Sequence, residues 1–188
     1  MYEASIIDKG VKLSNPIKMP RFANIFNFNL FRDQSGKSYL TTFSDSGYLL
    51  VYSSETGEEL WRSTDKFGGS ETYFQRRDWE NERTNMTPFR TRFLDQRITV
   101  TEKGEILVPQ NSGFFVLGNL RSYSKYSVVN FAWNGSSLEE KWRTKQSQNY
   151  LADYSYNPAT KELVLLEVAQ KDTFGGKGGS VVRLLGIE

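Results

Sequence analysis

Cysteine and histidine are both missing from this 188-residue chain. Without cysteine there are no disulfides, thiolate metal sites or thiol nucleophiles. Without histidine the commonest general base and the commonest transition-metal ligand are gone, which closes most hydrolase and metalloenzyme designs and leaves carboxylate-pair or lysine-based chemistry. No run of about 18 apolar residues is present to span a bilayer. The N-terminal Met1-Tyr2-Glu3-Ala4-Ser5 has no basic stretch leading into an apolar one and does not read as a signal peptide. A dominant charge sign is lacking too: 24 Lys and Arg against 22 Asp and Glu leave a net charge of +2, too balanced for a general nucleic-acid binder. In the densest basic stretch, Arg76, Arg77, Arg83, Arg90, Arg92 and Arg97 are interleaved with Asp78, Glu80, Glu82 and Asp95. The acids cancel the field, so it reads as a mixed-charge loop rather than a phosphate-binding strip.

What is present points to sheet. Aromatic residues make up 14% of the chain, and such side chains suit a pleated, half-buried surface. Helical periodicity is almost absent, the short polar stretch Arg76 to Thr84 being the best helix candidate. Asn24 to Phe31 alternates polar and apolar residues, and strand patterns follow at Tyr39 to Phe43, Tyr48 to Tyr52 and Glu59 to Ser63. The turns between them, Asp33-Gln34-Ser35-Gly36, Asp45-Ser46-Gly47 and Glu55-Thr56-Gly57, each end in glycine, as a tight hairpin with a positive-φ position requires. The same grammar returns at Arg97 to Val100, Glu105 to Val108, Ser127 to Trp133 and Leu138 to Thr144. It returns again at Tyr150 to Tyr156, Glu162 to Val168 and Ser180 to Leu185.

An internal repeat ties these units together. Glu58-Glu59-Leu60-Trp61-Arg62-Ser63 matches Glu139-Glu140-Lys141-Trp142-Arg143-Thr144, each after a glycine-containing turn and a strand ending in an aromatic residue. The predicted fold is all-β: β-propeller-type blades of four-stranded antiparallel meanders, about three to four of them, in one domain over 1–188. The blade units are 20–64, 92–145 and 149–186. The strand-like stretch 2–13 either completes the third unit or ends an absent preceding blade.

Residues Phe28 to Leu40, Gly47 to Tyr52 and Gly57 to Ser63 resemble an FG-GAP/VCBS repeat, and the Trp61 strand resembles the strand ends of quinoprotein (PQQ-like) propellers. Residues 67–73 and 138–154, with Trp142, Tyr150 and Asp153, resemble the C-terminal part of bacterial VCBS-repeat proteins, so that the likeness spans most of 20–186. The resemblance implies an extracytoplasmic location: periplasmic, outer-membrane-associated or secreted. It also implies calcium-binding turns of Asp-x-Asp-x-Asp-Gly type, since Ca²⁺ takes six to eight oxygen ligands. Each turn here departs from that pattern. The first keeps only Asp33, the second holds Lys103, and Asn157-Pro158-Ala159-Thr160-Lys161 has no carboxylate. Calcium is therefore not expected, and no other cofactor is implied.

The reading of function is a non-catalytic binding or scaffolding module of the bacterial envelope or cell surface. The alternatives are a carbohydrate-binding module and a fragment of a quinoprotein-like enzyme. Trp61, Arg62, Trp142 and Arg143 are read as structural repeat positions. The long connection from Asp65 to Arg92 carries the candidate partner-binding residues Tyr73, Phe74, Arg76, Arg77, Trp79 and Phe89, because aromatic and arginine side chains dominate interface hot spots. A packed cap over the blades is the competing reading of that connection. An incomplete ring leaves sheet edges to be covered, so the expected partner is another protein or the remainder of a larger propeller. The glycine run Phe174 to Gly179 leads into a strand rather than a helix, so it reads as a hairpin loop and not a phosphate cradle.

Overall fold

In the computed structural model, residues 2–21, 23–78, 89–113, 115–117, 120–172 and 176–187 are described. Among them there are 17 strands and no helix. In chain order these are β1 (Tyr2–Ile7), β2 (Gly10–Pro16), β3 (Phe28–Arg32), β4 (Ser38–Phe43), β5 (Tyr48–Ser53) and β6 (Glu59–Lys66). Then come β7 (Tyr73–Arg77), β8 (Phe89–Phe93), β9 (Thr99–Val100), β10 (Ile106–Ser112), β11 (Phe115–Leu117) and β12 (Leu120–Ser122). The last five are β13 (Lys125–Trp133), β14 (Leu138–Arg143), β15 (Tyr150–Asn157), β16 (Glu162–Gln170) and β17 (Gly179–Gly186).

The strands form three main antiparallel sheets. The first has the order β3-β4-β5-β6, the second β9-β10-β13-β14 and the third β15-β16-β17. Alternation along the strands gives the second sheet two apolar faces. Ile106, Val108, Val129 and Phe131 turn one way and pack with Phe31, Tyr39, Phe43, Leu49 and Val51 of the first sheet. Leu107, Tyr126 and Val128 turn the other way and pack with Leu151, Tyr154, Leu163 and Leu165 of the third. The sheets are therefore stacked face to face, with the second in the middle. The far face of the first sheet is covered by Ile17 and Met19, which pack on Leu40, Leu50 and Tyr52.

Buried amides clamp the layers together. The Asn111 side chain donates to the carbonyls of Gly69 (2.8 Å) and Leu151 (3.0 Å) and accepts from the Leu151 amide (3.1 Å). Gln96 donates to the Leu151 carbonyl at 2.9 Å. Each satisfies backbone groups that would otherwise be unpaired away from water.

The turn glycines adopt the positive φ that their turns require: Gly36, Gly47, Gly57 and Gly104 lie between +74° and +86°. Gly104 carries a second constraint. A Cβ there would lie 2.7 Å from the backbone oxygen of Arg32, on the neighbouring sheet. Gly104→Ala therefore costs about 2 kcal/mol in urea unfolding, from left-handed backbone strain plus displacement of the β3 end. Gly135→Ala, also at positive φ but with nothing within 4 Å of its Cβ, costs only the backbone part.

Several expectations are corrected. The connection from Asp65 to Arg92, read as a loop, holds strand β7 and most of β8, which pair with each other as a separate two-stranded sheet. Arg76 and Arg77, placed in the candidate helix, belong to strand β7, and the rest of that stretch beyond Asp78 lies outside the described residues. Of the glycine run, Phe174 and Gly175 also lie outside them. The N-terminal strand does not complete the third sheet. β1 pairs with β2, because Gly10, at φ +137°, folds the stretch back on itself.

Candidate functional site

The repeat seen in the sequence is also a repeat of geometry. In the first sheet Val51 opposes Trp61, and the register then slips so that Tyr52 opposes Glu59. In the second sheet Asn130 opposes Trp142, and the register slips so that Phe131 opposes Glu140. Each slip is a β-bulge that leaves one residue, Leu60 or Lys141, unopposed and redirects the side chains around it. The bulge lets the arginine after each tryptophan fold back on the glutamate before it. Arg62 holds Glu59 through two nitrogens at 2.9 and 3.0 Å, and Arg143 holds Glu140 at 3.1 and 2.7 Å. Both glutamates have their pKa lowered, chiefly by the arginine hydrogen bonds. The following hydroxyl then caps the neighbouring strand: Ser63 Oγ accepts from the Leu49 amide and Thr144 Oγ1 from the Val128 amide, both at 2.9 Å. Trp61 packs on the core between the first and second sheets, and Trp142 on the core between the second and third. The two tryptophans thus pack on successive inter-sheet cores, and the two arginines are occupied by glutamates of their own strands.

The other candidate residues sit on the β7–β8 hairpin. Strand alternation sends Phe74 and Arg76 to one face with their register partners Arg92 and Arg90. Tyr73 and Arg77 go to the other face with Phe93 and Phe89. Trp79 lies outside the described residues. Beside the hairpin is a cavity of about 650 Å³ lined by Phe74, Arg76, Arg92 and Phe93 of the hairpin, by Phe26 and Arg121, and by the acidic Asp45 and Asp95. Of the six candidates, then, Phe74 and Arg76 are brought together at a cleft, while Tyr73, Arg77 and Phe89 are not.

The cleft is built by residues far apart in sequence. Phe26 stands on a turn in which Asn24 Oδ1 accepts from the Phe26 amide at 2.9 Å and Asn27 Oδ1 accepts from the Asn24 amide at 2.8 Å. Asn27 Nδ2 donates to Asp95 Oδ2 at 3.0 Å, which ties this turn to the segment after β8. The Arg121 guanidinium lies 3.8 Å over the Phe93 ring, a cation–π arrangement that fixes both groups. Tyr73 and Phe93 are in ring contact at 5.6 Å. Burial raises the Asp95 pKa, an effect opposed by the Asn27 hydrogen bond and by the Arg121 charge. Arg90 is paired with Asp78 at 2.7 Å, whereas Arg76 and Arg92 have no carboxylate partner among the described residues. Phe74 and Phe26 are half exposed, at 47% and 49%.

A larger cleft of about 810 Å³ lies between the turns at Asp33-Gln34 and Thr101 to Gly104. Its ring-bearing residue, Phe31, is buried in the core. The Asp33 carboxylate there is spent on its own turn, accepting from the Ser35 hydroxyl at 2.6 Å, the Lys37 amide at 3.0 Å and the Tyr39 hydroxyl at 2.9 Å. These bonds, with that of the Ser35 side chain foremost, lower its pKa. Among the described residues no three Asp or Glu side chains gather in a metal-binding group, and no helix is long and apolar enough to cross a membrane.

Two features were missed in the sequence. One is the set Phe26, Phe93, Arg92 and Arg121, which converges only through long-range packing. The other is Glu167, a carboxylate with 1% exposure that accepts hydrogen bonds from the Tyr126 hydroxyl and from Asn149 Nδ2, the latter at 2.6 Å. A lone acid inside Leu163-Val164-Leu165-Leu166-Glu167-Val168, on the alternation that faces the core, was the available signal. Comparison of the chain with protein-family models and with curated proteins gives no match.

Proposed function

We propose that this protein is a non-catalytic interaction module whose stacked sheets are propeller-type blades, and that the β7–β8 hairpin and the cleft beside it receive a protein partner. One observation carries the reading. Two guanidiniums with no carboxylate partner among the described residues, Arg76 and Arg92, and the ring-held guanidinium of Arg121 surround the same cavity as three phenylalanine rings, and these three cations outnumber its two carboxylates, Asp45 and Asp95. Guanidinium groups beside exposed rings suit an extended segment bearing carboxylates and an apolar side chain, with bidentate hydrogen bonds giving direction and the rings giving buried area. A hairpin that pairs, among the described residues, only with itself also offers strand edges for main-chain hydrogen bonds. The extracytoplasmic, bacterial setting rests on the resemblance to FG-GAP/VCBS repeats.

Panning a random linear-peptide library against the intact protein tests this. The expected outcome is enrichment of peptides carrying Asp or Glu near an apolar residue, with binding that weakens as salt rises. Enrichment without acidic residues, or selective binding on a glycan array instead, contradicts it and favours the carbohydrate-binding alternative.

A further inference from the structure

The first and second sheets each end in a strand that the third sheet does not have among the described residues. In both, the third strand of the meander (β5 or β13) pairs antiparallel with a fourth (β6 or β14) that carries the bulge, the tryptophan, the Glu–Arg pair and the capping hydroxyl. In the third sheet the corresponding third strand is β17, and among the described residues no strand pairs with its other side. Its backbone groups on that side are a ready template for a further strand.

The side chains tell the same story. On β5, Leu49 and Val51 turn toward the next sheet in the stack, and on β13 Val128 and Asn130 do so. In each case the tryptophan opposes the second of these residues and the hydroxyl caps the amide of the first. On β17, Leu185 packs on the core shared with the second sheet, so Val182 and Leu184 turn away from it, on the side where a next sheet would lie. They are exposed to 64% and 63%, and Leu166, which opposes Val182 in the register, is exposed to 38%. This apolar strip matches the surface that Trp61 and Trp142 cover elsewhere.

We propose that the edge and outer face of β17 bind a tryptophan-bearing extended strand, antiparallel to β17 and of the pattern Glu-x-Trp-Arg-Ser/Thr. The occupant is defined by this chain's own two examples of what covers such an edge. The inference rests on the repeat and not on the β7–β8 cleft, so either site can fail without the other.

A labelled synthetic peptide with the 58–66 sequence, titrated into the intact protein and read by fluorescence anisotropy, is the test. Saturable binding is expected, at least tenfold weaker when the peptide's tryptophan is replaced by serine. Binding should also fall at least tenfold in the Leu184→Asp protein. That position is exposed, so the substitution leaves folding intact, and Ile6→Asp, at a 93% exposed position of the β1–β2 hairpin, leaves binding unchanged. No saturable binding up to millimolar peptide, equal binding of the serine peptide, or binding indifferent to Leu184→Asp overturns the proposal. So does a dimer of the protein that Leu184→Asp dissolves, since the edge then takes a second copy.

Discussion

Replacing Glu167 with alanine is expected to lower the unfolding free energy by about 3 kcal/mol, the largest stability effect of any single polar substitution considered for this molecule. The carboxylate is 1% exposed and lies between the second and third sheets. It accepts from the Tyr126 hydroxyl and from Asn149 Nδ2, and Arg183 Nε lies 3.2 Å from it. Arg183 is about half exposed, so water takes over its charge when the glutamate goes. The buried Tyr126 hydroxyl has no such relief, and the half-buried Asn149 amide has only part of it. Burial, and then the Glu167 hydrogen bond, already raise the tyrosine pKa, so its neutral donor form is the one held in place. Losing the acceptor leaves its donor without the carboxylate in an apolar layer, with only the Ser147 side chain still beside it, at about 1–3 kcal/mol for a buried unsatisfied polar group. Glu140→Ala removes a carboxylate with a closer bidentate arginine, but on the surface, where an ion pair contributes under about 1 kcal/mol. Urea unfolding followed by tryptophan fluorescence separates the two. If Glu167→Ala and Glu140→Ala cost the same, the buried network does not join the sheets as described.

Reversing both free cleft charges, Arg76→Glu with Arg92→Glu, is expected to weaken binding of the selected acidic peptides about 100-fold, or about 2.8 kcal/mol. Each substitution removes a guanidinium–carboxylate contact and puts like charge in its place. Both side chains are exposed and have no carboxylate partner among the described residues, so folding stability should shift by less than about 0.5 kcal/mol. Phe74→Ala in the same assay tests the ring contribution, with a loss of about tenfold expected. A double charge reversal that leaves affinity unchanged removes the cleft as the docking site. An equal loss from reversing Arg62 and Arg143, which are bound to their own glutamates, would show that the effect is only long-range charge.

The three meanders were legible in the sequence because their signals are local. Alternation of period two fixes which side chains are buried, and glycine fixes where the chain reverses. The Trp-Arg repeat was legible as a string of letters, but the bulge that gives it meaning was not, because a bulge is a relation between two strands. The β7–β8 hairpin stayed hidden for a physical reason. Its residues are exposed on both faces, so no apolar alternation marks it. The N-terminal stretch misled in the opposite way. Ala4, Ile6, Val11 and Leu13 alternate as a buried strand would, yet Ile6, Val11 and Leu13 are exposed on a hairpin of their own. The cleft could not be read at all from local pattern, since Phe26, Asp95 and Arg121 meet only after the sheets have stacked.

The central claim is that Trp61 and Trp142 occupy the same place in successive layers. Nuclear Overhauser contacts from the two indoles, in protein with labelled Ile, Leu and Val methyls, test it most directly. Trp61 should show cross-peaks to the cluster holding Val51, Ile106, Val108 and Val129, and Trp142 to the cluster holding Leu107, Val128, Leu163 and Leu165. Cross-peaks from both indoles to one cluster, or from either to none, would contradict the layered repeat.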